Sequence, residues 1–116
     1  MIVTLPYPPS ALNPNRSNGQ HWSKTRRAKT AYRRHCMQEM QAQKVKRTDA
    51  TTVKITLTFH PPTAHARDVD NAVAAMKSAI DGLAEMLGLD DSNFTYGEPV
   101  MSDARKPGCV IVEITK

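Results

Sequence analysis

A chain of 116 residues is long enough for one hydrophobic core and too short for two ordinary domains. Its hydrophobic fraction of 40% is that of a globular fold, and no apolar run approaches the roughly 20 residues of a membrane span. The net charge of +5 is unevenly placed: residues 1–58 carry eleven Lys/Arg against two acids, and residues 59–116 carry five against nine. A cationic half suggests a polyanionic partner, and an acidic half would repel that partner unless something neutralises it.

In chain order, "MIVTLP" reads as a short strand stopped by Pro6, Pro8 and Pro9. It lacks the basic region and long apolar core of a signal peptide. "SALNPNRSNGQHW" is loop by composition. A helix is expected from about Ser23 to Gln43, with Ser23 as its N-cap. Its buried stripe would be Ala28, Ala31 or Tyr32, Cys36 and Met40. Its other faces carry Lys24, Arg26, Arg27, Lys29, Arg33 and Arg34. In "TTVKITLTF", Val53, Ile55, Leu57 and Phe59 alternate with polar residues, the pattern of a half-buried strand. After the loop "HPPTAHAR", a second helix starts near Asp70, and Val69, Val73, Met76, Ile80, Leu83 and Leu87 form its apolar stripe. Gly88 is its natural stop. "SNFTYGEPVMS" and "CVIVEITK" read as two strands joined in a hairpin at "DARKPG". The resulting β-α-β-α-β-β order is that of a single α/β domain over residues 1–116, with helices packed on a small mixed sheet.

Asp68, Val69, Asp70 and Asn71 sit where a loop feeds the second helix. Asp and Asn cap helices, and carboxylates near a helix N-terminus gain about 0.3–1 kcal/mol each from the dipole. Two acids followed by Asn exceed what one cap needs. A second pair, Asp90 and Asp91, follows the helix, where a solvated turn is the plain alternative. If Asp91 opens a strand beside the second strand, the strand–loop–helix unit brings it toward Asp68 and Asp70. Clustered carboxylates persist when they hold a hard cation, and Mg²⁺ suits oxygen ligands with retained waters; Mn²⁺ is the alternative. Bound metal reverses the local charge and admits a phosphate. The acids would then meet one phosphate, and the cationic half would bind the rest of a nucleic acid.

These residues carry a resemblance. "RDVDN" at Arg67–Asn71, an apolar helix and "LDD" at Leu89–Asp91 resemble the RusA family of Holliday-junction resolvases, and so does "TLPYPPSALNPNR" at Thr4–Arg16. The resemblance covers most of the chain. It implies a Mg²⁺-dependent endonuclease that cuts four-way DNA junctions as a homodimer, with Asp68, Asp70 and Asp91 as metal-binding catalytic carboxylates and Arg67 positioning DNA. The family usually has a lysine four residues after the second motif Asp, where this chain has Ala74. Lys77 lies within roughly 20° of the Asp70 helical face and about 10 Å further along, so it either replaces that lysine or pairs with Asp81.

Arg16, Lys24, Arg26, Arg27, Lys29, Arg33 and Arg34 form a run of cations with no acid between them. Solvated faces usually mix signs, so these residues are expected to position DNA through its phosphates. Tyr7 and Trp22 either stack on unpaired bases or anchor a loop. His65 is a loop histidine within reach of the Asp pair. No glycine-rich phosphate loop or Ser-His-Asp arrangement is visible, which argues against a nucleotide cofactor and a covalent intermediate. Cys36 and Cys109 lack metal-site spacing and read as two reduced, buried thiols of a cytoplasmic protein. The rival reading is a branched-DNA-binding module whose acids only cap the helix, or a metal nuclease acting on other branched DNA.

Overall fold

The alternating segments become strands of one sheet. The computed structural model describes residues 1–13, 22–65 and 67–116. The strands are β1 (Ile2–Pro6), β2 (Val53–His60), β3 (Phe94–Tyr96), β4 (Val100–Met101) and β5 (Cys109–Thr115). Their order is β1-β5-β2-β3, with β4 also on β2. β5 runs antiparallel to both β1 and β2, whereas β3 and β4 run parallel to β2. The expected mixed sheet is therefore present.

β3 and β4 are one edge strand interrupted by a bulge. Ile55 faces Tyr96 and Thr58 faces Val100, so three residues oppose two between those pairs. Gly97 sits at the bulge because a Cβ there would lie 2.7 Å from Thr56 Oγ1. The expected hairpin between the last two strands is not formed. β5 lies along one edge of β2 and β4 along the other, and the connection crosses the end of β2, where Ser102 N–H donates to Phe59 O and Arg105 N–H to Pro61 O, both at 2.8 Å. The "DARKPG" turn signal is local, and it loses to the two open edges of β2, whose backbone groups need partners.

The helices are α1 (Trp22–Ala42), α2 (Val69–Ala75) and α3 (Lys77–Leu87). They cover one sheet face, the face that buries Val3, Leu5, Ile55, Phe59, Val110 and Val112. α1 contributes Tyr32, Cys36 and Met40 at four-residue spacing, with Ala28 partly buried and Ala31 exposed. α3 contributes Ile80, Leu83 and Leu87. Burial of each such aliphatic side chain stabilises the fold by about 1.5–3 kcal/mol. The other sheet face keeps Lys54 and Glu113 in solvent and leaves Ile2 and Val100 exposed.

Two boundaries differ from expectation. α1 already includes Trp22, so Ser23 lies in its first turn and is not the residue before it. The second expected helix is divided at Met76, whose N–H bonds Val73 O at 3.0 Å in a tightened 3₁₀-type turn. The apolar stripe continues across that turn, so periodicity alone reads one helix. Gly88 ends α3 in the left-handed conformation (φ 74°), as its position suggests.

Tyr32 of α1 joins β1 and the turn between α2 and α3. Its hydroxyl donates to Pro6 O at 2.6 Å and lies 3.2 Å from Met76 Sδ. Burial, with Cys36 beside it, raises the phenol above its usual range. Burial also pushes the Cys36 thiol up to about 11, with the neighbouring Tyr32 hydroxyl opposing the rise, so the thiol stays protonated at neutral pH. Cys109 is also free, but only half-buried. Tyr32→Phe is expected to lower stability by about 0.5–1.5 kcal/mol in urea unfolding, since the Pro6 carbonyl loses its donor. An unchanged midpoint would show that the bond does not tie β1 to α1.

Candidate carboxylate cleft and nucleic-acid interface

The C-terminal end of β2 carries a cleft of about 400 Å³ between the proline segment after β1 and the start of α2. Tyr7, Pro8, Pro9 and Pro62 form much of its wall, and Ser10, Asn13, Arg67, Asp68 and Asn71 supply polar groups. The proline segment carries Tyr7 over the sheet end, where its ring meets Phe59 edge-on with centroids 6.2 Å apart. Gly108, at φ 96°, permits this closeness: a Cβ there would lie 2.9 Å from Pro62 Cδ and 3.0 Å from Tyr7 Cβ. Tyr7 is thus held against the core as a loop anchor, and its remaining surface faces the cleft.

Arg67 is expected to bind DNA, and the structure gives it a local task. One terminal nitrogen donates to Thr63 O at 3.0 Å and His65 O at 2.9 Å, and the other to Thr63 Oγ1 at 2.9 Å. Its guanidinium carbon lies 6.0 Å from the Tyr7 ring centroid. Partial burial raises the Tyr7 phenol, and the Arg67 charge opposes that rise. Arg67 is therefore a strut of the 61–67 loop as well as a cation at the cleft. The His65 side chain is exposed.

Asp68 is the N-cap of α2: its Oδ1 accepts from Asp70 N–H at 2.9 Å. Asp70 lies in the first turn and is exposed. The capping reading therefore accounts for one oxygen of Asp68, and leaves its second oxygen and the Asp70 carboxylate without a hydrogen-bond partner among the described residues. Asp91 does not join them. It opens a 3₁₀ turn (Asp91–Asn93) that leads into β3, and Phe94 is paired with Val53 at the N-terminal end of β2. Asp91 therefore does not itself start a strand beside β2; it precedes one, at the opposite end of β2 from Asp68. Its charge is felt instead by Tyr96, whose phenol is raised by burial and by Asp91 and Asp81 nearby. Among the described residues, no three His, Cys, Asp or Glu side chains converge on one metal position. Asp90 caps the same turn, accepting from Ser92 N–H at 3.0 Å and from the Ser92 hydroxyl, and these bonds hold its carboxyl below the usual range.

The cations of α1 form the second part of the candidate site. Lys24, Arg26, Arg27, Lys29 and Arg34 are exposed, and among the described residues none of them enters an ion pair. Arg26, Arg27 and Arg34 line one shallow groove with Thr30 and Ala31. Arg33 differs from its neighbours, because it is paired with Glu85 of α3. Arg16 lies outside the described residues, as does the side chain of Trp22. Lys77 does not line the Asp68 cleft; it lies in a cleft between α1 and α3 with Lys29, Arg33, Ser78 and Asp81, and is in no ion pair among the described residues. Two features escaped sequence reasoning. His60 is buried, with Nδ1 2.9 Å from Asp103 O and 3.4 Å from Asp103 Oδ1, and nothing in the strand alternation marks it. Ser78 was hidden in the helix pattern, although Lys77-Ser78-x-x-Asp81 repeats the spacing of Lys29-Thr30-x-x-Arg33.

Fold and site define a class: a two-layer α/β domain with a carboxylate-bearing cleft at the sheet end and a helix face of exposed cations. No family model matches the chain. It is 31% identical over 118 aligned positions to a protein of Xylella fastidiosa (strain Temecula1 / ATCC 700964) described as an uncharacterized protein, covering 97% of this chain and 74% of that one. The chain belongs to the same family as that protein.

Arg67→Ala is expected to speed amide hydrogen exchange at residues 63–68 roughly five- to tenfold, equivalent to about 1 kcal/mol of lost hydrogen bonding, with α1 unchanged. Unchanged exchange in that loop would remove Arg67 from its role as a strut.

Proposed function

We propose that this protein is a structure-selective DNA endonuclease of the RusA type, acting in the cytoplasm as a homodimer on branched DNA, four-way junctions among them. The observation that carries the reading is the pairing of two unlike surfaces on one small domain: the exposed cations Lys24, Arg26, Arg27, Lys29 and Arg34 along α1, without ion-pair partners among the described residues, and two carboxylates at the start of α2, the N-cap Asp68 that lines the cleft and Asp70 in the first turn. Cations without acidic partners suit phosphates, whose contacts position DNA without reading its sequence. Carboxylates beside such a surface oppose a polyanion unless they act on it through a cation.

The donor set fits Mg²⁺ or Mn²⁺ in a restricted way. Mg²⁺ takes one or two protein carboxylates together with waters and substrate phosphate, and Asp68 and Asp70 supply that number. Asp91 is not part of this pair within one chain. Bound there, the cation would stabilise charge on a phosphoryl oxygen and lower the pKa of an attacking water. The protein's own contributions are distinct. Asp68 keeps α2 capped and presents its second oxygen, Arg67 and Tyr7 fix the loop at the cleft wall, and α1 holds the flanking phosphates. The uncovered sheet face, where Ile2 and Val100 are exposed, is the surface on which this reading seats the second copy.

A second reading is favoured by one observation, the Asp68–Asp70 capping bond at 2.9 Å. Carboxylates that serve as a cap, with Ala74 where relatives place lysine, describe a branched-DNA-binding module without catalysis. Cleavage of a labelled four-way junction in Mg²⁺, with linear duplex as control, separates the two. Paired cuts by wild type are expected, with a loss of about 100-fold or more in Asp70→Asn and retained junction binding. Wild type that binds the junction but cuts nothing in Mg²⁺ or Mn²⁺ would leave the binding module.

A further inference from the structure

α1 and α3 run side by side and meet most closely at Gly82, where a Cβ would lie 2.8 Å from Met37 Cγ and 3.4 Å from Arg33 Cγ. Beyond that contact, toward the start of α3, the helices leave a cleft of about 220 Å³. Its polar groups come in two matching sets, Lys29, Thr30 and Arg33 from α1 and Lys77, Ser78 and Asp81 from α3. Among the described residues, two buried side-chain nitrogen or oxygen atoms lack a hydrogen-bond partner, Arg33 Nε and Ser78 Oγ, and both residues line this one cleft. Buried donors are ordinarily satisfied, so two in one place call for an explanation.

The charges around them point one way. Glu85 engages a terminal nitrogen of Arg33 and so holds the guanidinium while leaving its Nε–H unspent. Lys29 and Lys77 enter no ion pair among the described residues. Asp81 is the one acid in the lining. Two orphaned donors, one of them on a guanidinium, with two unpaired lysines beside them match an oxyanion carrying several acceptor oxygens.

We infer that the α1–α3 cleft is a phosphate-binding site, in which Arg33 Nε–H and Ser78 Oγ–H donate to the anion and Lys29 and Lys77 neutralise it. The DNA backbone is the source of that phosphate if the nucleic-acid reading above holds, and this part of the inference rests on it. The site lies at the start of α3, across the Met76 turn from Asp70, so it would grip a phosphate flanking the one at the cleft. Lys77 is then a DNA-positioning residue and not a substitute for the missing lysine at Ala74.

The test uses metal-free protein, so cleavage plays no part in it. Inorganic phosphate is titrated at constant ionic strength while ¹H–¹⁵N spectra are recorded, and junction affinity is measured against salt. Saturable shifts are expected at Arg33 Nε and at the amides of residues 77–79. They should be lost in Ser78→Ala, which leaves the net charge unchanged, and weakened in Arg33→Lys, which keeps the charge but removes Nε–H. Junction binding by Lys77→Gln should show a log–log salt slope lower by about 0.9, one duplex phosphate contact. Phosphate shifts that vanish in Ser78→Ala while every variant keeps wild-type junction affinity and slope would support the site and overturn DNA as its source. Absence of phosphate shifts at the cleft, with junction binding unaltered by Ser78→Ala and Arg33→Lys, would overturn the site itself.

Discussion

Parallel pairing between β2 and β3 is the constraint from which the rest of the molecule follows. Parallel neighbours cannot be joined by a tight turn, so the chain leaving the C-terminal end of β2 must return to its N-terminal end before β3 begins. α2 and α3 make that return, about 27 Å of helix at 1.5 Å per residue. Whatever precedes the helices is therefore placed at one end of the sheet, and whatever follows them at the other. Asp68 and Asp70 belong to the first group, and Asp90 and Asp91 to the second.

That separation changes the electrostatics of the acidic half. The carboxylates do not build one concentrated centre among the described residues; each local pair first satisfies its own backbone, Asp68 at α2 and Asp90 at the 3₁₀ turn. What remains at the start of α2 is the second oxygen of Asp68 and the Asp70 carboxylate, while on α1 Lys24, Arg26, Arg27, Lys29 and Arg34 have no ion-pair partner among the described residues. The same crossover lays α3 beside α1, and this contact creates the groove where Lys77 and Arg33 meet. The position of Lys77 is thus a consequence of helix packing against α1, not of its spacing from Asp70.

Much of the fold was legible in the residues because the governing signals are local. Alternation in Val53–Phe59 marked β2, the stripe from Val69 to Leu87 marked the helical stretch that divides into α2 and α3, and Gly88 marked its end. The misread hairpin and the misplaced Asp91 both depend on non-local pairing. "DARKPG" has the composition of a hairpin turn, but nothing in it reports that β4 is already bound to the far edge of β2. Likewise, "LDD" next to a strand suggests proximity to "RDVDN", but only the direction of that strand reveals which end of the sheet it occupies. Arg67 was marked by its motif, whereas its bonds to Thr63 and His65 depend on a loop shape that composition does not specify.

The central claim is that the working carboxylates are Asp68 and Asp70 at the C-terminal end of β2, acting apart from Asp91. Paramagnetic broadening by substoichiometric Mn²⁺ tests it most directly. The account predicts strong loss of the amide signals of residues 67–71, with residues 90–93 retaining theirs. Signals of both segments broadening together on one saturable ion, or neither broadening, would contradict it.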